Sequence, residues 1–151
     1  MSGAFGRAGV ALAAAAVLSG CVAPAPTTDA YESKAAMTAQ AALSAARTAV
    51  LATRAHADEQ LPAPYLESTL VDAEKAIGSV QATFTSIEPP DTDAADRLRS
   101  TLDPLLGDAA SAVTDMRIAV RRDRPAALST ATADLAHAAD ELERFSQEHG
   151  P

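Results

Sequence analysis

The sequence predicts an all-α protein, an up-down-up-down four-helix bundle that follows a signal peptide and a short proline-rich tether. Apolar residues recur in steps of three and four along most of the 151-residue chain, which is the period of an amphipathic helix. Alanine occurs 38 times and favours helix, because it loses no side-chain entropy there. The segments between the periodic stretches are short and contain proline, so neighbouring helices should run antiparallel.

The first helix is predicted over about residues 29–57, a stretch so rich in alanine that its core face is ambiguous. Three large apolar residues mark the predicted face: Leu43, Val50 and Leu51. Arg47 and Arg54 lie seven residues apart and close to that face. We expect them either to extend their side chains to solvent or to pair with an acid on the fourth helix, such as Asp134 or Glu141.

The second helix has the clearest pattern, in the segment "YLESTLVDAEKAIGSVQATFTSI". Its apolar residues form a strict a/d seam over three heptads: Leu66, Leu70, Ala73, Ile77, Val80, Phe84 and Ile87. Pro62 and Pro64 precede the segment, and Pro89 and Pro90 follow it. The helix is therefore bounded on both sides by residues that cannot continue it.

The third and fourth helices repeat this pattern after the links "EPPDTD" and "RDRP". The third seam contains Leu98, Leu102, Leu105, Ala109, Ala112, Met116 and Ala119, with a second line of Leu106, Val113 and Val120. The fourth contains Leu128, Ala131, Leu135, Ala138, Leu142 and Phe145. Pro104 lies on the predicted solvent side of the third helix, where it should kink or split the helix, with Asp103 capping the second piece.

The charge of the chain argues against nucleic acid as a partner. The formal net charge is −8 at pH 7, whereas phosphate binding needs clustered positive charge. The main basic cluster closes the third helix in "RIAVRRDR": Arg117, Arg121, Arg122 and Arg124. The helix dipole favours basic residues there, but the topology also puts them far from the chain start, beside Asp58 and Glu59. We therefore treat the four arginines as a candidate partner-binding tip.

The first part of the chain has the organisation of an export signal. Residues 1–7 are polar with one arginine, and residues 8–17 are apolar. This apolar run is too short to span a bilayer, which needs about 20 residues. The next four residues, Leu18-Ser19-Gly20-Cys21, resemble the lipobox of bacterial lipoproteins. The composition of the remaining chain is similar to that of small helical lipoproteins from GC-rich bacteria, a likeness that implies no particular function.

The resemblance to lipoproteins implies cleavage between Gly20 and Cys21 and attachment of a diacylglyceryl group to the Cys21 thiol. Residues 1–20 are then the signal peptide, residues 21–29 the lipidated cysteine and tether, and residues 30–151 the bundle. The expected location is the extracytoplasmic face of the cell membrane, since two or three acyl chains anchor a protein stably. An acylated cysteine is unavailable as a nucleophile, a metal ligand or half of a disulfide.

The sequence predicts no catalytic residue, no metal ligand and no cofactor. His56 and His137 are expected at outer positions and His149 in a fraying C-terminus, so none can join a catalytic triad. Asp134, His137 and Glu141 share one outer strip at helical spacing, which is more typical of a solvated charged face than of a metal site. Glycine-rich phosphate loops and haem-attachment motifs are absent from the sequence.

These observations predict a non-enzymatic cell-envelope lipoprotein whose bundle is an interaction or scaffold module for an envelope protein. The alternative is a bundle that holds a small apolar molecule or a lipid between its helices. A dry, closed core would favour the first prediction. An apolar cavity of about a few hundred Å³ would favour the second.

Overall fold

A computed structural model of the protein describes residues 27–150. The predicted signal peptide, the lipobox with Gly20 and Cys21, and most of the predicted tether lie outside these residues. The described chain forms four helices: α1 (Thr28–Ala57), α2 (Ala63–Thr85), α3 (Asp93–Arg121) and α4 (Pro125–His149). The predicted all-α four-helix class is therefore confirmed.

Side-chain caps determine where two of the helices begin. The Thr27 hydroxyl accepts a hydrogen bond from the Ala30 N–H at 3.1 Å, and Asp29 places negative charge in the first turn of α1. Thr92 accepts a hydrogen bond from the Ala95 N–H at 3.2 Å and caps α3 in the same way. Helix α1 thus begins at Thr28. The tether was predicted to extend to residue 29, two residues beyond the N-cap Thr27.

Contacts at one end of the bundle establish its antiparallel topology. Three contacts join the start of α1 to the other helices: the Tyr31 and Phe84 rings at 5.4 Å, the Thr28 and Thr92 hydroxyls at 3.2 Å, and Glu32 Oε1 with His149 Nδ1 at 2.9 Å. The starts of α1 and α3 therefore lie beside the ends of α2 and α4. We call this the proximal end, and the opposite end, with the α1–α2 and α3–α4 turns, the distal end.

Helix α1 is the central element of the bundle because it packs against all three other helices, whereas α2 and α4 do not meet. Its buried face is mainly an alanine seam: Ala35, Ala39, Ala42, Ala46 and Ala49. Alanine adds little width to a helix, so α1 can approach α3 across the bundle as well as its two neighbours. The larger core side chains come from α2, α3 and α4.

The predicted seams of α2, α3 and α4 face the core, with Val80, Leu105, Val120 and Leu128 only partly buried. Ile87, predicted on the α2 seam, is also partly buried and lies two residues beyond the end of that helix. In α1, Leu43 and Val50 are buried as predicted, each with 7% of its surface exposed. Leu51 is 68% exposed, so its placement on the core face was wrong. Successive residues of a helix point about 100° apart, so Leu51 cannot share the buried face of Val50. That face is completed by the alanines of α1.

Helix α3 continues through Pro104 without a break, so of the two predicted alternatives, a kink or a split, the split is wrong. Pro104 has no N–H to donate to the carbonyl of Ser100, four residues earlier. Both residues are exposed, so water can bond that carbonyl instead. Asp103 does not start a second helix. Its carboxylate lies 3.7 Å from Arg99 Nε, one turn earlier on α3.

Leu43 and Leu51 provide a matched pair of substitutions on one helix. Leu43→Ala should lower the free energy of unfolding by about 2–4 kcal/mol, because it leaves a cavity against packed neighbours. Leu51→Ala should change it by less than about 0.5 kcal/mol. Urea denaturation of the full chain measures both values, and equal losses would contradict the assigned face of α1.

The Tyr31 hydroxyl at the proximal end is buried and, within residues 27–150, has no hydrogen-bond partner. Burial raises the pKa of Tyr31 above its usual value, nearby Arg99 lowers it, and Asp103 and Asp96 raise it further. The folded state therefore keeps this hydroxyl protonated at a pH where the unfolded chain has begun to lose the proton.

This raised pKa predicts a loss of stability in alkali. Below the pKa of an unfolded tyrosine, about 10, both states are protonated and Tyr31 contributes no pH dependence. Above it the unfolded state binds fewer protons than the folded state, so the free energy of unfolding falls as the pH rises. Tyr31→Phe should remove this part of the decline in denaturation curves between pH 9 and 11. An identical decline in both chains would show that Tyr31 does not contribute.

Candidate functional site

An open cleft of about 620 Å³ lies at the distal end of the bundle. Its walls are the end of α1, the start of α2, the end of α3 and the first three turns of α4. Half of the sixteen lining residues are apolar, and five of these are alanines: Ala57, Ala63, Ala119, Ala133 and Ala136. The cleft has the volume of a small-molecule site, and it opens at the end of the bundle instead of lying enclosed between the helices.

The cleft exists because bulky side chains are distributed unevenly along the bundle. Of the residues that the structure describes, three aromatic ones are buried, Tyr31, Phe84 and Phe145, and all lie towards the proximal end. At the distal end, Thr53 and Ala57 of α1 share the cleft with small α4 residues: Ser129, Thr132, Ala133 and Ala136. The largest apolar side chains of the lining are Val120 and Leu128, and each is only partly buried.

Both turns at the distal end contain a strained residue. Glu59 has φ 58° and Asp123 has φ 50°, a left-handed conformation that costs a residue with a Cβ about 1–2 kcal/mol. Each turn closes its helix with a backbone bond: Gln60 N–H donates to Ala55 O at 2.8 Å, and Arg124 N–H to Ala119 O at 2.9 Å. These are the bonds of a Schellman motif, in which glycine is the usual residue. Asp123 also lines the cleft.

His56 lines the cleft from the last turn of α1 and is half-buried. Its Nδ1 lies 2.7 Å from the carbonyl oxygen of Leu61. Because a carbonyl oxygen only accepts, Nδ1 must carry a proton, and Nε2 is left as the acceptor of the neutral ring. The sequence placed His56 away from the core face but gave no indication of a cleft beside it.

The four arginines of the predicted tip occupy different environments. Arg117 Nε lies 2.8 Å from Glu74 Oε2, and Thr114 donates to the same carboxylate at 2.9 Å, so Arg117 ties α3 to α2. Arg121 and Arg122 are exposed at the distal end, and Arg124 lines the cleft. Within residues 27–150, these last three arginines make no ion pair. Partner binding by the tip remains a prediction.

Arg47 does pair with an acid on α4, as one predicted alternative stated, but the acid is Glu143. Neither acid named from the sequence is involved. Glu141 bonds Arg144 on its own helix, and Asp134 makes no ion pair with the described residues. Arg54 lies seven residues after Arg47, and the matching position seven residues before Glu143 is Ala136. Both Arg54 and Ala136 line the cleft, and among the residues described Arg54 has no carboxylate partner.

Four charged residues line the cleft. Arg54 comes from α1 and Glu67 from α2. Asp123 and Arg124 are neighbours in the turn between α3 and α4. The lining therefore has two positive and two negative groups, and α1 contributes no carboxylate to it.

The other histidines lie outside the cleft. His137 is exposed, with Nε2 3.9 Å from Glu141 Oε1, and within residues 27–150 no three His, Cys, Asp or Glu side chains cluster as metal ligands do. His149 was expected in a frayed terminus. It instead packs on Phe145 with ring centroids 4.5 Å apart and contacts Glu32, which holds the last turn of α4 in place.

None of the four helices contains a stretch long and apolar enough to cross a bilayer. Comparison of the chain with protein-family models, with curated proteins and with solved structures finds no match.

The position of Arg54 predicts that Ala136→Glu creates an ion pair. The new carboxylate should reach Arg54 as Glu143 reaches Arg47, with a coupling energy of about 0.3–1 kcal/mol. A double-mutant cycle with Arg54→Gln, measured by urea denaturation, isolates that energy. The native Arg47–Glu143 pair, treated by the same cycle, is the reference. If the Arg47–Glu143 pair showed a measurable coupling energy and the new pair showed none, positions 54 and 136 would not face each other as positions 47 and 143 do.

Proposed function

We propose that this protein is a cell-envelope lipoprotein without enzymatic activity, anchored through acyl groups on Cys21, whose bundle is an interaction module. The antiparallel topology carries the proposal. Helix α1 begins seven residues after Cys21, so a lipid on that cysteine would hold the proximal end near the membrane. The 30 residues of α1 extend about 45 Å, which directs the distal turns outward.

The two ends of the bundle differ in charge. The proximal end carries acidic residues in the α2–α3 link, at the start of α3 and at the end of α4: Glu88, Asp91, Asp93 and Glu148. Anionic lipid headgroups repel such a surface, so in the proposed orientation the acyl anchor, and not charge, holds the proximal end near the bilayer. The exposed arginines Arg121, Arg122 and Arg124 are at the opposite end, where a partner in the envelope can reach them.

The distal cleft supports a second candidate function, the binding of a small apolar molecule. Its volume of about 620 Å³ lies within the range of small-ligand sites, and alanine, leucine, valine and proline make up half of its sixteen lining residues. The sequence suggested a ligand between the helices. The structure instead has an open cleft at the distal end, away from the proposed anchor.

Site-specific photo-crosslinking on intact cells tests the interaction module. Ala126 is exposed near the start of α4, so a photoreactive residue there samples the tip. We expect the full chain to fractionate with membranes and to capture one envelope protein. Cys21→Ala should release the chain from the membrane fraction. Replacing Arg121, Arg122 and Arg124 together with Gln should leave the anchor intact and abolish the crosslink.

Two controls make these results specific. Val22→Ala alters the same segment without removing the thiol, and should leave fractionation unchanged. Replacing Lys34, Lys75 and Arg97 with Gln removes three positive charges away from the tip and should retain the crosslink. Membrane association that survives Cys21→Ala would disprove the anchor. A crosslink that survives loss of the tip arginines would disprove recognition by them.

A further inference from the structure

We propose that the distal cleft binds a small organic monoanion with an apolar body, of the class of a single-chain carboxylic acid, and that Arg54 recognises its acid group. This inference rests on the second candidate function, the binding of a small apolar molecule, and adds the charge and the position of the ligand.

The interrupted pairing between α1 and α4 is the first observation. Arg47 bonds Glu143 across the two helices. One heptad further along α1 the arginine recurs as Arg54, while α4 presents Ala136 where a carboxylate would complete the pair. Both residues line the cleft, so a ligand can bring the missing carboxylate to Arg54.

The second observation is the set of charged residues that line the cleft. Arg54 and Arg124 supply two positive charges, and Glu67 and Asp123 supply two negative charges. Asp123 and Arg124 are neighbours in the α3–α4 turn, whereas Arg54 comes from α1, which contributes no carboxylate to the lining. One acid group can therefore pair with Arg54, and each further anionic group on a ligand would add to the two carboxylates already present. This balance favours a monoanion.

The third observation is the length and character of the walls. From Ser129 to Ala136 the cleft follows α4 for about 10 Å, beside Val120 and Leu128. An acyl chain or a comparable apolar body can lie along this path. Each methylene that is transferred from water to such a surface strengthens binding about fourfold. Charge thus fixes one end of the ligand, and apolar burial supplies most of its affinity.

A photoreactive ten-carbon fatty acid and the ten-carbon alcohol with the same diazirine test this inference on the full chain in phosphatidylcholine vesicles. Mass spectrometry maps the labelled residues, and the probe concentration at half-maximal labelling measures relative affinity. We expect the acid to label the end of α1 and the start of α4 at about one tenth of the concentration that the alcohol requires. Arg54→Gln should raise the value for the acid about tenfold and leave that for the alcohol unchanged.

Three variants separate the cleft from other sites. Arg97→Gln removes an exposed arginine near the proximal end and should leave both probes unaffected. Ala136→Glu places a carboxylate of the protein beside Arg54 and should weaken labelling by the acid more than labelling by the alcohol. Ala133→Phe fills the cleft from an exposed position and should abolish both, with folding verified by urea denaturation.

The outcomes distinguish the inference from the function on which it rests. Equal labelling of the cleft by acid and alcohol, indifferent to Arg54→Gln, would overturn recognition of an anion but retain an apolar ligand site. If neither probe labels the cleft, or if labelling survives Ala133→Phe, both the anion site and the apolar ligand site would be overturned. If phosphatidylglycerol in the vesicles abolished labelling by the acid, that phospholipid would have displaced the probe. The ligand would then be a membrane lipid, and the proposed class of a single-chain acid would be overturned.

Discussion

The close packing that alanine allows around α1 is the constraint on which the rest of the structure depends. With Ala39, Ala42 and Ala46 on its buried face, α1 contacts the other three helices, while α2 and α4 remain apart. A helix with such a thin face cannot fill the core itself. The volume must come from Leu, Ile, Phe and Met side chains on the other three helices, wherever these occur along the axis.

The same dependence explains why one end of the bundle is closed and the other open. Tyr31 is the one large fully buried side chain of α1, and it meets Phe84 near the proximal end. Towards the distal end, Thr53 and Ala57 of α1 line the cleft together with Ser129 and Ala133 of α4. Two thin faces opposite each other leave a void, because no other helix inserts a large residue between them. The Arg47–Glu143 pair holds α1 against α4 before the open region begins.

Periodicity in the sequence predicted the four helices, their order and nearly all the buried residues of α2, α3 and α4, since each seam is a property of one segment. It failed at Leu51, because an alanine-rich helix has several faces of similar apolarity and only tertiary packing selects one. It also missed the partner of Arg47 and the cleft. Both depend on the axial alignment of α1 with α4, which no single segment encodes. The resemblance of Leu18-Ser19-Gly20-Cys21 to a lipobox is also a property of one segment, and it stays a prediction.

Backbone strain is confined to the distal end of the described chain. Glu59 and Asp123 occupy positions where glycine would relieve strain, and Arg54 lines the cleft without a carboxylate partner among the described residues. Natural chains tolerate such costs mainly at sites that bind or react. At the proximal end, Thr27 and Thr92 cap their helices and His149 is packed and hydrogen-bonded, with the buried Tyr31 hydroxyl as the exception. An anchor beside the proximal end would leave the strained distal end free to complete its interactions with a ligand or a partner.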